Sequence, residues 1–137
     1  MLLLLVLLGT VGLGAELFLL EHTETIWQWI PLIVLGCGFF SGLTVAFAPR
    51  RSTVLIYRGV MVVFVAAGVL GLYLHFEGNA AFELEMDESL QGIGLFWKSM
   101  RGATPALAPG AMAQLGLLGL IQAYRHPALL NSARRDS

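Results

Sequence analysis

Residues 26–76 read IWQWIPLIVLGCGFFSGLTVAFAPRRSTVLIYRGVMVVFVAAGVLGLYLHF, two apolar runs joined at Pro49-Arg50-Arg51. The only acidic or basic side chains in this stretch, histidine aside, are Arg50, Arg51 and Arg58. At 1.5 Å per residue, a helical run of about 20 residues crosses a hydrocarbon core of ~30 Å. The stretch therefore predicts two membrane-spanning helices, at about 26–48 and 54–76, joined by a short basic corner.

Working outward, two further apolar runs flank this pair. The first covers about residues 1–20 and carries a single charge, Glu16. A signal peptide is the competing reading, but there is no basic n-region, the apolar stretch is too long and no A-x-A pattern follows. The fourth run covers about 105–124, where Thr104 can cap and Pro105 can occupy the first helical position. Hydrophobic residues make up 57% of the 137-residue chain and charged residues 12%, and the mean hydropathy is +0.77. Soluble domains carry roughly a quarter charged residues, so lipid is the solvent for most of this chain. The expected fold is an all-α membrane protein: one domain of four transmembrane helices in a compact bundle.

The charges sort by sign. Arg50, Arg51 and Arg58 flank one loop, and Arg125, Arg134 and Arg135 follow the last span. The other two loops hold Glu21, Glu24, Glu77, Glu83, Glu85, Asp87 and Glu88 against Lys98 and Arg101. The positive-inside rule then predicts that the N and C termini of a multi-pass protein lie in the cytoplasm and the acidic loops outside. Trp27, Trp29 and Trp97 fall at the outer boundary, where indole rings anchor at headgroup depth. The net charge of −1 gives no support to nucleic-acid binding. Cys37, the only cysteine, excludes an internal disulfide or a thiolate cluster.

The outer segment, 77–102, is the only loop long enough to form more than a connection. Phe82-Glu83-Leu84-Glu85-Met86-Asp87 alternates apolar and acidic residues, which predicts an extended strand with its acids on one face. Asp87-Glu88-Ser89 offers helix-start chemistry, and Leu90, Ile93, Trp97 and Met100 recur at helical spacing. A short amphipathic helix over 89–100 is therefore expected at the outer surface.

Chemistry-bearing residues gather near the outer ends of spans one and three: Glu16, Glu21, His22 and Glu24 with His75, Glu77 and Asn79. Imidazole and carboxylate together suit a divalent metal, so His22, Glu24, His75 and Glu77 form the candidate ligand set. The bland alternative is a polar loop edge, since no fixed spacing such as H-x-x-x-H is present. The acidic run 83–88 lacks the order of an EF-hand loop, which makes it a solvated face. Glu16, about one turn inside the membrane, is either a proton or cation relay or a glutamate that snorkels to water. Gln114, near mid-membrane, reads as a hydrogen-bonding contact between helices or subunits. Gly38-x-x-x-Gly42 and Ala106-x-x-x-Gly110 give small faces for close helix packing, and Pro109 allows a local kink. No nucleophile elbow, Walker A, dinucleotide, metalloprotease or c-type haem motif occurs, so no catalytic residue is expected.

The stretches Leu72-Tyr-Leu-His75-Phe-Glu77-Gly78-Asn79, Phe82-Glu83-Leu84-Glu85 and Gly102-Ala-Thr-Pro105-Ala-Leu-Ala-Pro109-Gly110 resemble small uncharacterised four-span bacterial membrane proteins. That resemblance implies a bacterial inner membrane and this topology, and carries over no catalytic residue. The expected function is a non-enzymatic accessory or structural subunit, with the lipid bilayer and other membrane subunits or further copies of itself as partners. The alternative is divalent cation binding or handling at the outer face through Glu16, His22, Glu24, His75 and Glu77.

Overall fold

A computed structural model describes residues 1–102 and 107–133. The elements in chain order are α1 (Leu2–Leu19), α2 (Ile26–Phe47), α3 (Arg51–Met86), α4 (Gly92–Met100), α5 (Leu107–Ala123) and α6 (Pro127–Ala133). No strand occurs among the described residues. Thr104, Pro105, Ala106, Arg134 and Arg135 lie outside the described residues, and with them the expected cap and start of the fourth span.

Three of the described helices, α1, α2 and α3, are long and apolar enough to cross a membrane, as in a multi-pass membrane protein. Their 18, 22 and 36 residues correspond to about 27, 33 and 54 Å of helix. The described part of α5 is apolar as well but has 17 residues.

Local chemistry explains where the helices stop. α1 ends in a paired closing motif: the Glu21 N–H donates to the Phe18 carbonyl at 3.1 Å and the His22 N–H to Leu17 at 3.0 Å. These two bonds satisfy carbonyls that the helix end would otherwise leave bare, and they place Glu21 in the left-handed region at φ 53. At the start of α2, the Gln28 side chain accepts the Thr25 N–H at 2.9 Å. The corner between α2 and α3 turns at Pro49. There the Arg50 N–H donates to the Thr53 hydroxyl oxygen at 2.9 Å, and that hydroxyl faces the Ala48 and Arg50 carbonyls at 2.8 and 2.9 Å. So short a connection obliges α2 and α3 to run antiparallel as neighbours.

The expected strand over 82–87 is absent: α3 continues without a break to Met86. Alternation over six residues is too short to specify a strand by itself. Ala80, Ala81, Glu83, Leu84, Glu85 and Met86 are all strong helix formers, and extending an existing helix carries no nucleation cost. The third helix consequently runs ten residues past the expected boundary at 76. The short helix is present, but it begins at Gly92 rather than Ser89. The Asp87 carboxylate accepts both the Ser89 hydroxyl (2.6 Å) and the Ser89 N–H (3.0 Å), so the helix-start residues close a turn first. Gly92, at φ +57, then redirects the chain in a backbone conformation that glycine adopts without steric cost.

α3 is the central element and packs against α2, α4, α5 and α6, while α1 packs against α2 and α5. Val54, Tyr57, Met61 and Phe64 of α3 are fully buried, joined by Val6 and Leu13 of α1, Leu35 and Val45 of α2, and Met112 and Ala123 of α5. Glycines set how near the backbones come. A Cβ added at Gly68 would lie 2.5 Å from the Ala113 backbone nitrogen and 2.6 Å from the Pro109 carbonyl oxygen. A Cβ at Gly116 would lie 2.8 Å from the Met61 carbonyl oxygen. Only a missing side chain permits α3 and α5 to approach so closely, and among apolar helices such contact replaces the hydrophobic drive of water.

Candidate functional site

The polar residues at the acidic end of the helices fall into two groups. His22, just past α1, and His75 of α3 are close enough for their charges to interact. Partial burial, followed by the repulsion of His75, lowers the His22 imidazole below its ordinary value of 6.5. Both histidines are half-buried, whereas Glu16, Glu21, Glu24 and Glu77 are exposed. No group of three or more His, Cys, Asp or Glu among the described residues is arranged to hold a metal ion. Among the described residues, His22, Glu24, His75 and Glu77 do not form such a group, and the charge interaction of His22 with His75 is what remains of that constellation.

The second group fastens α4 to the extension of α3. Asn79, buried on α3, donates through Nδ2 to the Ser99 carbonyl at 2.9 Å. Ser99 is fully buried, and its hydroxyl donates to the Leu95 carbonyl at 2.8 Å. A Cβ on Gly102 would strike the Asn79 amide, so the chain can close over this bond only at a glycine. The Phe76 and Phe96 rings lie 5.7 Å apart, and Lys98 reaches Glu83 at 3.9 Å. The last contact is long and exposed, so it contributes little. Asp87, held below the usual carboxylate range by its bonds from Ser89, closes the turn between the two helices.

Within the membrane-spanning helices, hydroxyls are satisfied locally. The Thr10 hydroxyl donates to the Val6 carbonyl (2.7 Å), Ser41 to Gly38 (3.1 Å) and Thr44 to Ser41 (2.7 Å).

Gly38 and Gly42 are buried, and their spacing serves two neighbours. Gly38 meets the Phe64 ring of α3, while Gly42 faces Leu7 of α1 and Tyr57 of α3. Gly110 faces open space, and its expected partner Ala106 lies outside the described residues. Pro109 stands in the first described turn of α5, and Pro105, whose carbonyl a helical N–H at position 109 would face, lies outside the described residues. Gln114 is exposed on α5, so its amide does not sit between the described helices. Trp27, Trp29 and Trp97 are all exposed, and the Trp29 indole donates to the Thr23 carbonyl at 3.0 Å.

Three features were not expected from sequence. Gly68 and Gly71 bear the approach of α5, and the pairing of Gly68-x-x-Gly71 with Gly116-x-x-Gly119 was the available signal. Tyr57 is fully buried, and its Oη has no hydrogen-bond partner among the described residues. The Gln122 Oε1 is likewise buried and without a partner, at the end of the fold opposite the histidines. It lines an open groove of about 480 Å³ with residues of α1, α2 and the α5–α6 turn.

No known protein family, curated protein or solved structure matches the chain.

Proposed function

We propose that this protein is a non-catalytic, four-span integral membrane protein that serves as an accessory or structural subunit, packing on a larger membrane assembly or on copies of itself. In this reading α1, α2, α3 and α5 are the spans and form a bundle. Both termini face the cytoplasm, and the α3 extension with α4 stands on the outer side of a bacterial inner membrane. The charge asymmetry supports that orientation, because the basic residues cluster beyond one end of the helices and the acidic ones beyond the other.

The observation that carries the subunit reading is Gln114. It lies in the middle of α5 and is exposed there, although the surrounding segment is apolar. An amide facing hydrocarbon wants a partner, and another subunit supplies one. Glu16 on α1 is also exposed, with Gly12 one turn before it and nothing within 4 Å of the position a Gly12 side chain would take. A second helix can approach there without obstruction.

Native mass spectrometry of protein extracted in a mild detergent tests this. We expect a fixed multiple of the 14.8 kDa chain or a stoichiometric second protein. Gln114→Leu should weaken that association by about five-fold, the effect of roughly 1 kcal/mol for one interhelical amide contact. A bare monomer at every detergent level, unchanged by Gln114→Leu, would remove the reading.

A further inference from the structure

We propose that the groove at the basic end of the fold is a binding site for an anionic glycerophospholipid whose headgroup carries a hydroxyl donor. The inference depends on the chain residing in a membrane and is independent of the subunit reading.

The groove's wall is apolar where acyl chains would lie: Leu3 of α1, Val45 and Ala46 of α2, and Pro49 of the corner. Its polar groups are Gln122 and His126. The Ala128 N–H donates to His126 Nδ1 at 3.2 Å, so the neutral ring carries its proton on Nε2 and can donate there to a phosphate oxygen. Gln122 Oε1 is a buried acceptor with no donor among the described residues. An orphaned acceptor in such a place calls for a ligand donor, and a headgroup hydroxyl supplies one.

Charge selects the lipid class. Pro49 is followed directly by Arg50 and Arg51, and His126 is preceded by Arg125, all three exposed. The described acidic residues lie elsewhere, on α1 at Glu16 or in the 21–24 and 77–88 segments beyond the opposite helix ends. An apolar groove between helices, with exposed arginines next in sequence to its lining residues Pro49 and His126 and no described carboxylate among its lining, suits an anionic headgroup over a zwitterionic one. The 480 Å³ of space is in the range of small-molecule sites and accommodates a headgroup with the upper part of its chains.

The test uses the full chain in mild detergent, titrated with lipids of identical acyl chains and read as bound-lipid peaks in native mass spectra. Phosphatidylglycerol should be retained over phosphatidylcholine by roughly ten-fold or more, at about five-fold per arginine engaged. Arg50→Gln with Arg125→Gln should bring that ratio near one. Ala46→Trp, which fills the groove and keeps every arginine, should likewise bring the ratio near one; continued selectivity in that variant would mean diffuse surface charge and overturn the site. Phosphatidylmethanol, anionic but lacking a hydroxyl donor, should bind less well than phosphatidylglycerol, and Gln122→Leu should erase that difference. Because each readout is a ratio within one variant, reduced stability does not obscure it. Equal retention of phosphatidylcholine, or a lipid-free dimer burying the groove, would overturn the proposal.

Discussion

His22 shows how placement changes a residue whose sequence context is unremarkable. In the chain it is a loop histidine between two glutamates, Glu21 and Glu24; in the fold it is partly covered and close enough to His75 for their charges to repel. Both effects oppose its charged form and lower its pKa from 6.5. The sign follows from proton linkage. The unfolded chain takes up a proton near 6.5 while the folded state resists it, so the associated stability is full above 6.5 and is lost as pH falls through the lowered folded value. Thermal unfolding in detergent should therefore show a melting temperature that declines from pH 7.5 to 5.5. His22→Gln should flatten that decline, and an unchanged slope in the variant would assign the pH dependence to other groups. The four-ligand metal expectation arose because His22, Glu24, His75 and Glu77 share a depth in the sequence. Depth says nothing of azimuth, and the exposed Glu24 and Glu77 do not join the histidines in a metal-holding group.

At the scale of elements, the contact between α3 and α5 is set by glycines whose neighbours are backbone atoms. Side chains can rotate away from an added methyl, but the Pro109 carbonyl and the Ala113 nitrogen facing Gly68 cannot. Gly68→Ala should destabilise the protein by about 1–3 kcal/mol, the usual cost of overpacking. Gly59, on the same helix, is exposed and has nothing within 4 Å of its added Cβ. Gly59→Ala should be neutral or stabilise by up to ~1 kcal/mol through helix propensity alone. Unfolding measured side by side in one detergent checks the pair, and equal effects would contradict the packing account. The α3 extension teaches a related lesson. Its residues Phe82–Asp87 satisfy a period of two and also suit a helix, and it is the contact of Asn79 with Ser99, twenty residues away, that gives the helical form its partner.

For the whole molecule, the proposed topology places the α2–α3 corner and the α3–α4 turn on opposite sides of the bilayer. Cys37 is exposed on α2, so a Cys37→Ala background is needed for single-cysteine labelling. In intact cells, a membrane-impermeant maleimide should label Ser89→Cys, and should label Ser52→Cys only after permeabilisation. The reverse pattern would invert the topology; labelling of both from outside would refute the single crossing by α3 between them. The length of α3 bears on the same question. Its 36 residues exceed a ~30 Å core by about 24 Å, and the buried bond between Asn79 and Ser99 gives the surplus a folded partner in α4 rather than leaving it as a lone projecting helix.

The sequence by itself determined the apolar helices, the corner at Pro49-Arg50-Arg51, the sorting of charge between the two ends and the short helix ending at Met100. All of these follow from local quantities: hydropathy over about 20 residues, turn chemistry and a net count of charges. What only the tertiary structure decided is the rotation of each helix about its axis, because a helix apolar on every side carries no stripe to mark its buried face. From that rotation came the burial of Gly68 and Gly116, the outward face of Gln114, and the nearness of His22 to His75. The groove joining Leu3, Val45, Pro49, Gln122 and His126 has the same origin. Its residues come from both ends and the middle of the chain and line one groove only where those segments end at one height.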